Sequence, residues 1–251
     1  MRSISVILPV YNESKCISLT VDAVLEYSKN NPIYHFIFVN DGSTDETKAI
    51  IENKILESEN NHISLLSYDE NKGKGHAIKK GVEFSHGDYI CFIDSDLAYS
   101  LTHLDFLIDK LEFFDVVIGC RNLMPTNVKR VKFIRFVAGK VFNILSRGIL
   151  SLNFSDMQAG IKGFKKEIAK DLFARQRIKR FCFDVELMYL AQKQRYSIGE
   201  IPVIVSITHT EKASKVNLAV DSLRMLISLL KIRINDSLGR YEKEKVCLVK
   251  L

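Results

Sequence analysis

The chain has no tryptophan and only four prolines, and its five cysteines (Cys16, Cys91, Cys120, Cys182, Cys247) never form a Cys-x-x-Cys pair. Their scatter and odd number argue against a disulfide framework or a cysteine zinc site and suit a reducing compartment. No run of 18 clean apolar residues occurs, so no membrane-spanning helix is expected. The N-terminus runs straight into a strand pattern, Ile4-Ser5-Val6-Ile7-Leu8, which leaves no room for a signal peptide. A dinucleotide fingerprint is missing too. Gly73-x-Gly75 follows the third strand pattern instead of the first and has no third glycine at the required spacing. Internal repeats and low-complexity linkers are likewise absent.

What remains is a chain of 251 residues with ordinary apolar and charged fractions, enough for one large α/β domain with a real core. Its net charge of +6 hides an asymmetry. Residues 1–120 carry 10 Lys/Arg against 19 Asp/Glu, a balance of −9, and residues 121–251 carry 26 against 11, a balance of +15. Two surfaces with different partners are implied. The basic half suits anionic lipid, a lipid phosphate or nucleic acid, or is simply a solvated face. It carries no evident nucleic-acid motif.

The first 120 residues alternate. Strand patterns at Ile4–Val10, Tyr34–Asn40, Ile63–Ser67, Tyr89–Ile93 and Val116–Gly119 are separated by helical patterns over 13–29, 45–58, 74–85 and 101–112. This reads as a doubly wound, mostly parallel sheet, whose ligands sit at the carboxyl ends of the strands. After residue 121 the chain is more helical. Val131–Leu150 carries a wide apolar face, Gly160–Phe164 reads as a strand, and helices follow from Lys165 and over Phe183–Gln194. Ile198–Ile207 is strand-like, and Val216–Ile234 is a broad-faced helix broken by Asp221, Arg224, Lys231 and Arg233. Such a helix packs on protein or lies in a membrane interface. The organisation expected is a nucleotide-binding half (1–120), an acceptor half of the same domain (121–215), and a C-terminal amphipathic helix with a charged tail (216–251).

Three strand ends carry chemistry. Ile90-Cys91-Phe92-Ile93 stops abruptly at Asp94-Ser95-Asp96. Carboxylates at a strand end are costly without a cation, and oxygen ligands together with phosphate suit Mg²⁺ or Mn²⁺. A loop start or helix cap is the plainer alternative. Leu8-Pro9-Val10-Tyr11-Asn12-Glu13 offers a ring to stack on a base and a carboxylate for ribose hydroxyls, or a helix start capped by Asn12. Phe38-Val39-Asn40-Asp41-Gly42-Ser43-Thr44-Asp45 places Asp41 to accept a uracil imide, with Asp45 as cap or loop support.

Taken together, Pro-Val-Tyr-Asn-Glu, Asn-Asp-Gly-Ser-Thr-Asp and Asp-Ser-Asp at these spacings resemble the family 2 glycosyltransferases, which implies a GT-A fold. The likeness narrows toward polyprenyl- and dolichyl-phosphate glucosyltransferases and mannosyltransferases through five further segments. These are Asn71-Lys72-Gly73-Lys74-Gly75, Asp156-Met157-Gln158-Ala159-Gly160 with Lys162-Gly163-Phe164, Phe183-Asp184-Val185-Glu186-Leu187, Glu200-Ile201-Pro202-Val203, and Ser214-Lys215-Val216. The resemblance implies nucleotide contacts at Pro9, Tyr11, Glu13 and Asp41, with Lys74 near the diphosphate, and a metal site at Asp94 and Asp96. Arg121 corresponds to an arginine at the acceptor phosphate, with Arg135 and Lys215 as further candidates.

Asp156 and Asp184 would orient the sugar or brace the basic groups if the acceptor is a phosphate. They are the candidate bases if it is a hydroxyl. As a plainer alternative, Asp184 caps a helix. Two departures stand out. Ala98 occupies a position where related mannosyltransferases have Gln, which leaves His209 as a candidate further ligand, and Ala213 replaces a frequent Gly.

The function expected is an inverting, metal-dependent transfer of a hexose, glucose favoured, from a UDP-sugar to a polyprenyl phosphate. The setting expected is the cytoplasmic face of a membrane, with the chain bound peripherally. The alternatives are transfer to a saccharide hydroxyl in surface polysaccharide assembly, or a non-catalytic nucleotide-sugar-binding module.

Overall fold

A computed structural model describes residues 2–123, 146–152, 154, 156–180, 182–206 and 218–242. Its elements run β1 (Ile4–Val10), α1 (Ile17–Asn30), β2 (Tyr34–Asp41), α2 (Thr47–Ser58), β3 (Ile63–Tyr68), α3 (Lys74–Phe84), β4 (Tyr89–Ile93), α4 (His103–Leu111) and β5 (Val116–Cys120). A short 3₁₀ turn (Arg121–Leu123) follows, then β6 (Ile161–Lys165), α5 (Lys166–Arg175), α6 (Phe183–Lys193), β7 (Ile198–Pro202) and α7 (Leu218–Ser237). The strand order is β3-β2-β1-β4-β6-β5-β7. All neighbouring pairs are parallel except those of β6, which is antiparallel to both β4 and β5.

The strands are continuous apolar runs because both faces of the sheet are covered. Alternate residues of one strand enter opposite cores. Ile7, Ile37 and Phe92 pack on one face with Ile78, Phe164, Leu172, Phe183 and Leu187 from α3, β6, α5 and α6. Val6, Leu8, Phe36 and Phe38 pack on the other with Val21, Leu104, Leu107 and Leu111 from α1 and α4. The strand order turns outward in both directions from between β1 and β4, which opens a crevice above their carboxyl ends.

The predicted strands and helices of residues 1–120 are present, with α1 the largest boundary difference. It begins at Ile17, four residues after the predicted start, because the Pro9–Glu13 segment is taken up by contacts with the β2–α2 loop. Of Val131–Leu150 only 146–150 is described, and it is helical; the predicted strand over Ile198–Ile207 is shorter, ending at Pro202. Among the described residues no helix is long and apolar enough to cross a membrane.

The antiparallel β6 sets up the site. Its register pairs Ile93 with Ile161, so the next positions outward bring Asp94 against Gly160. The Asp94 amide donates to the Gly160 carbonyl at 3.0 Å. On the other side β6 pairs with β5, whose end leads directly into Arg121. One strand thereby holds the end of β4, the end of β5 and the Asp156–Gly160 segment together.

Candidate active site

The first two loops are stitched to each other. The Asn12 amide donates to Ser43 Oγ at 3.0 Å, the Thr44 amide to Asn12 Oδ1 at 2.8 Å, and the Glu13 amide to Thr47 Oγ1 at 2.8 Å. Asn12 therefore bridges loops instead of capping α1, and its φ of 52° is one that asparagine tolerates well. Asp45 accepts from the Thr47 amide at the start of α2 and from the Ser14 amide. Burial opposes its charge, but the Thr47 and Ser14 hydrogen bonds outweigh it and bring the carboxyl to about 2. Tyr11, just past the end of β1, is 43% exposed. Pro9 and Glu13 are half-buried beside it.

Asp41 is buried, and the protein fills its oxygens. Oδ1 accepts from the Tyr68 hydroxyl at 2.7 Å and the Lys72 amide at 2.8 Å; Oδ2 accepts from Asn71 Nδ2 at 2.9 Å and the Gly73 amide at 2.8 Å. A carboxylate has about four lone-pair sites, so contact with a base requires one of these partners to give way. The carboxylate instead shapes the Asn71-Lys72-Gly73 turn, where Gly73 has φ 99°. A side chain there would strike Arg180 and the Lys179 carbonyl. That neighbouring segment is fixed from below by the buried Glu186, which accepts from the Arg177 and Ile178 amides and from the Tyr241 hydroxyl at 2.6 Å. Burial raises the Glu186 carboxyl above its ordinary range, against the pull of Tyr241 and the two amides.

Lys74, the first residue of α3, reaches into the crevice and places its ammonium 2.5 Å from Asp94 Oδ1. Burial would lower its pKa, but Asp94, then Asp184 and Asp96, outweigh that and push it up to about 12. Asp96 Oδ1 accepts the Ala98 amide at 3.1 Å. Between them Leu97 has φ 50°, a left-handed conformation that is strained for leucine and folds the loop back on itself.

Asp94 and Asp96 fit a divalent cation by chemistry. They are hard oxygen donors at one strand end, and Asp94 already attracts a positive charge, the Lys74 ammonium. Among the described residues no group of three or more His, Cys, Asp or Glu forms a complete cage. A diphosphate would supply such a cation with further oxygens.

Gly160 lies directly under Asp94. A Cβ built there would stand 2.0 Å from Asp94 Oδ2. Because Asp94 is short and partly exposed, Gly160→Ala is expected to be relieved by rotating the carboxylate away, with little loss of stability. Misplacing a reactive group by about 1 Å costs roughly a hundred-fold in rate, and that is the expected fall in kcat/KM, with a near-normal melting temperature. Unchanged kcat/KM would show that Asp94 has no fixed position to lose.

Arg121 and Asp156 form a bidentate pair, with Nε to Oδ2 at 2.6 Å and Nη2 to Oδ1 at 2.9 Å. Asp156 is nearly buried while the arginine side chain is 46% exposed. The carboxylate braces the guanidinium through two parallel hydrogen bonds, and the arginine side chain stays partly exposed. Burial works against both charges. Even so, Asp156 raises the arginine further, and Arg121 holds the Asp156 carboxyl below its usual range. Tyr99 is buried nearby, its phenol pushed up to about 12 by burial, with Arg121 opposing and Asp156 and Asp94 adding.

Asp184 does not cap α6 through its side chain. Its Oδ1 accepts from Lys162 Nζ at 2.9 Å, and that fully buried ammonium also donates to the Ala159 carbonyl at 2.7 Å. Cys182, with φ 74°, turns the chain into α6 just before it.

The structure thus brings together Asp94, Asp96, Lys74 and Asp184, and separately pairs Arg121 with Asp156. Arg135, His209, Ala213 and Lys215 lie outside the described residues. Sequence reasoning assigned no role to Lys162, Gly160 or Tyr99. The available signal was a lysine inside an otherwise apolar strand, Ile161-Lys162-Gly163-Phe164, where an unpaired charge is not tolerated.

A doubly wound sheet with two carboxylates at the end of β4 and polar loops after β1 and β2 is the arrangement of a GT-A fold. The family model for glycosyl transferase family 2 matches residues 5–173, and the chain belongs to that family. A dolichyl-phosphate beta-glucosyltransferase of Dictyostelium discoideum is 30% identical over 250 residues, covering 94% of this chain and 75% of that protein. The enzymes of that name from Saccharomyces cerevisiae and Homo sapiens are each 29% identical, covering 97% and 80% of this chain and 78% and 67% of theirs. Among solved structures, glucosyl-3-phosphoglycerate synthase from Mycobacterium tuberculosis, in complex with Mn²⁺, UDP-glucose and phosphoglyceric acid, superposes with a TM-score of 0.62 at 17% identity. That match covers 96% of this chain and 80% of the other, and at this identity it speaks for the fold.

Proposed function

We propose that this glycosyltransferase moves glucose, with inversion, from UDP-glucose to a polyprenyl phosphate and requires Mg²⁺ or Mn²⁺. The observation that carries the choice of acceptor is the state of the two candidate bases. Asp156 is committed to Arg121 and Asp184 to Lys162, and Arg121 lowers the basicity of Asp156. A hydroxyl acceptor needs a carboxylate free to take its proton. A phosphate acceptor is already anionic and needs a cation to hold it, which the partly exposed Arg121 offers, with Arg135 and Lys215 as further candidates.

In this reading Tyr11 stacks on the base, Pro9 and Glu13 line its pocket, and Asp41 fixes the loop that carries Lys74 and meets the base by yielding one partner. Asp94 and Asp96 hold the metal ion, which supplies charge neutralisation to the departing diphosphate. Lys74 lies beside that diphosphate. The acceptor phosphate oxygen bonds to the anomeric carbon as the bond to the nucleoside diphosphate breaks, so positioning and electrostatics dominate. Residues 1–120 serve the donor and 121–215 the acceptor. Residues 216–251 place the chain peripherally on the cytoplasmic face of a membrane, where the lipid is reached.

The test is incubation with UDP-glucose or GDP-mannose, Mn²⁺, and either polyprenyl phosphate in detergent or an oligosaccharide, with products read by mass spectrometry. Glucosyl-phosphoryl-polyprenol from UDP-glucose is the expected product. Product from the oligosaccharide alone overturns the acceptor, and no turnover alongside nucleotide-sugar binding would favour a binding module.

A further inference from the structure

We infer that Lys74 is an internal competitor for the cation site, so that binding of a divalent metal and binding of the nucleoside diphosphate depend on each other. This rests on the reading that Asp94 and Asp96 hold the metal.

The Lys74 ammonium is 2.5 Å from Asp94 Oδ1, within the field of Asp184 and Asp96 as well. It therefore occupies part of the shell a metal would use. A divalent ion entering while the ammonium stays must share Asp94 with another cation at close range, and like charges so placed repel. Asp184 is already paired with the Lys162 ammonium at 2.9 Å.

The backbone at Lys74 is fixed while its side chain has reach. The preceding Gly73 amide is bound to Asp41, and the Gly73 carbonyl accepts from the His76 and Ala77 amides in the first turn of α3. A lysine ammonium on a four-carbon stem swings without moving that backbone. Its location also calls for an anion. The amino end of a helix disfavours positive charge, and the first turn of α3 contains no acidic residue. In the structure Asp94 is that anion. A diphosphate is the ligand that relieves the arrangement, because it draws the ammonium from Asp94 and adds oxygens for the metal in the same event. Coupling of this kind is reciprocal: the nucleotide raises metal affinity by the same factor that metal raises nucleotide affinity.

The experiment titrates Mn²⁺ into the full chain with and without saturating UDP, following the free Mn²⁺ signal by electron paramagnetic resonance, for wild type, Lys74→Met, Lys74→Arg and Asp94→Asn. Wild type is expected to bind Mn²⁺ weakly alone and more tightly with UDP. Lys74→Met alone is expected to bind Mn²⁺ about tenfold more tightly than wild type and to gain less from UDP, as expected when one competing charge is removed. Lys74→Arg, which keeps the charge and controls for folding, is expected to stay weak alone. If wild type binds Mn²⁺ with UDP and loses it in Asp94→Asn, while Lys74→Met alone binds no better than wild type, the competitor role is wrong and the metal site stands. If no protein binds Mn²⁺ even with UDP, the metal reading fails and this inference fails with it.

Discussion

Asp96→Asn is expected to lower glucose transfer on the order of a thousand-fold while the protein stays folded. The substitution keeps the shape of the side chain and its Oδ1 acceptor, so the hydrogen bond from the Ala98 amide survives and the turn through Leu97 keeps its support. The negative charge is what disappears. A thousand-fold loss is about 4 kcal/mol of transition-state stabilisation, the size expected when one preorganised electrostatic contact to developing charge is removed. The measurement is steady-state transfer together with the rise in melting temperature on adding UDP and Mn²⁺, since a ligand that binds only the folded state stabilises it. Both should collapse together. Activity within tenfold of wild type would remove the aspartate pair from the chemistry.

The second large effect is on stability. Lys162 is fully buried, its ammonium shared between Asp184 and the Ala159 carbonyl and lying 5.5 Å from the centre of the Phe92 ring. Lys162→Ala leaves a largely buried carboxylate without its cation, and breaking such a pair costs about 3–5 kcal/mol. At about 2–4 °C per kcal/mol for a domain of this size, the melting temperature should fall by roughly 10 °C. The double variant Lys162→Met, Asp184→Leu should recover much of that loss, because an apolar replacement of the whole pair leaves no buried charge behind. Calorimetric unfolding of the three proteins decides the matter. A loss under about 1 kcal/mol for Lys162→Ala would mean that water reaches Asp184 freely.

These expectations differ in how far the sequence foretold them. Asp94 and Asp96 were legible because an apolar strand that stops at two carboxylates is a local signal, complete within seven residues. The sheet was legible for the same reason, through short apolar runs and helical spacing. The partners of those acids were not. Lys162 and Asp184 are separated by 22 residues, and Arg121 and Asp156 by 35, so only the packing of β6 between β4 and β5 brings each pair together. Asp41 looked free to meet a base because its neighbours in sequence do not use it. The groups that fill its oxygens come from a loop about 30 residues onward. The start of α1 was placed too early because Asn12 has the chemistry of a cap, and its tie to Thr44 is tertiary.

Side chains along a strand alternate between its faces, so a slip of β6 by a single position would turn Lys162 away from Asp184 and carry Gly160 away from Asp94 at one stroke. A misthreaded chain would thus forfeit its buried charge balance and its reaction centre simultaneously. Quality control that rejects unstable conformers therefore also removes every chain in which β6 is out of register.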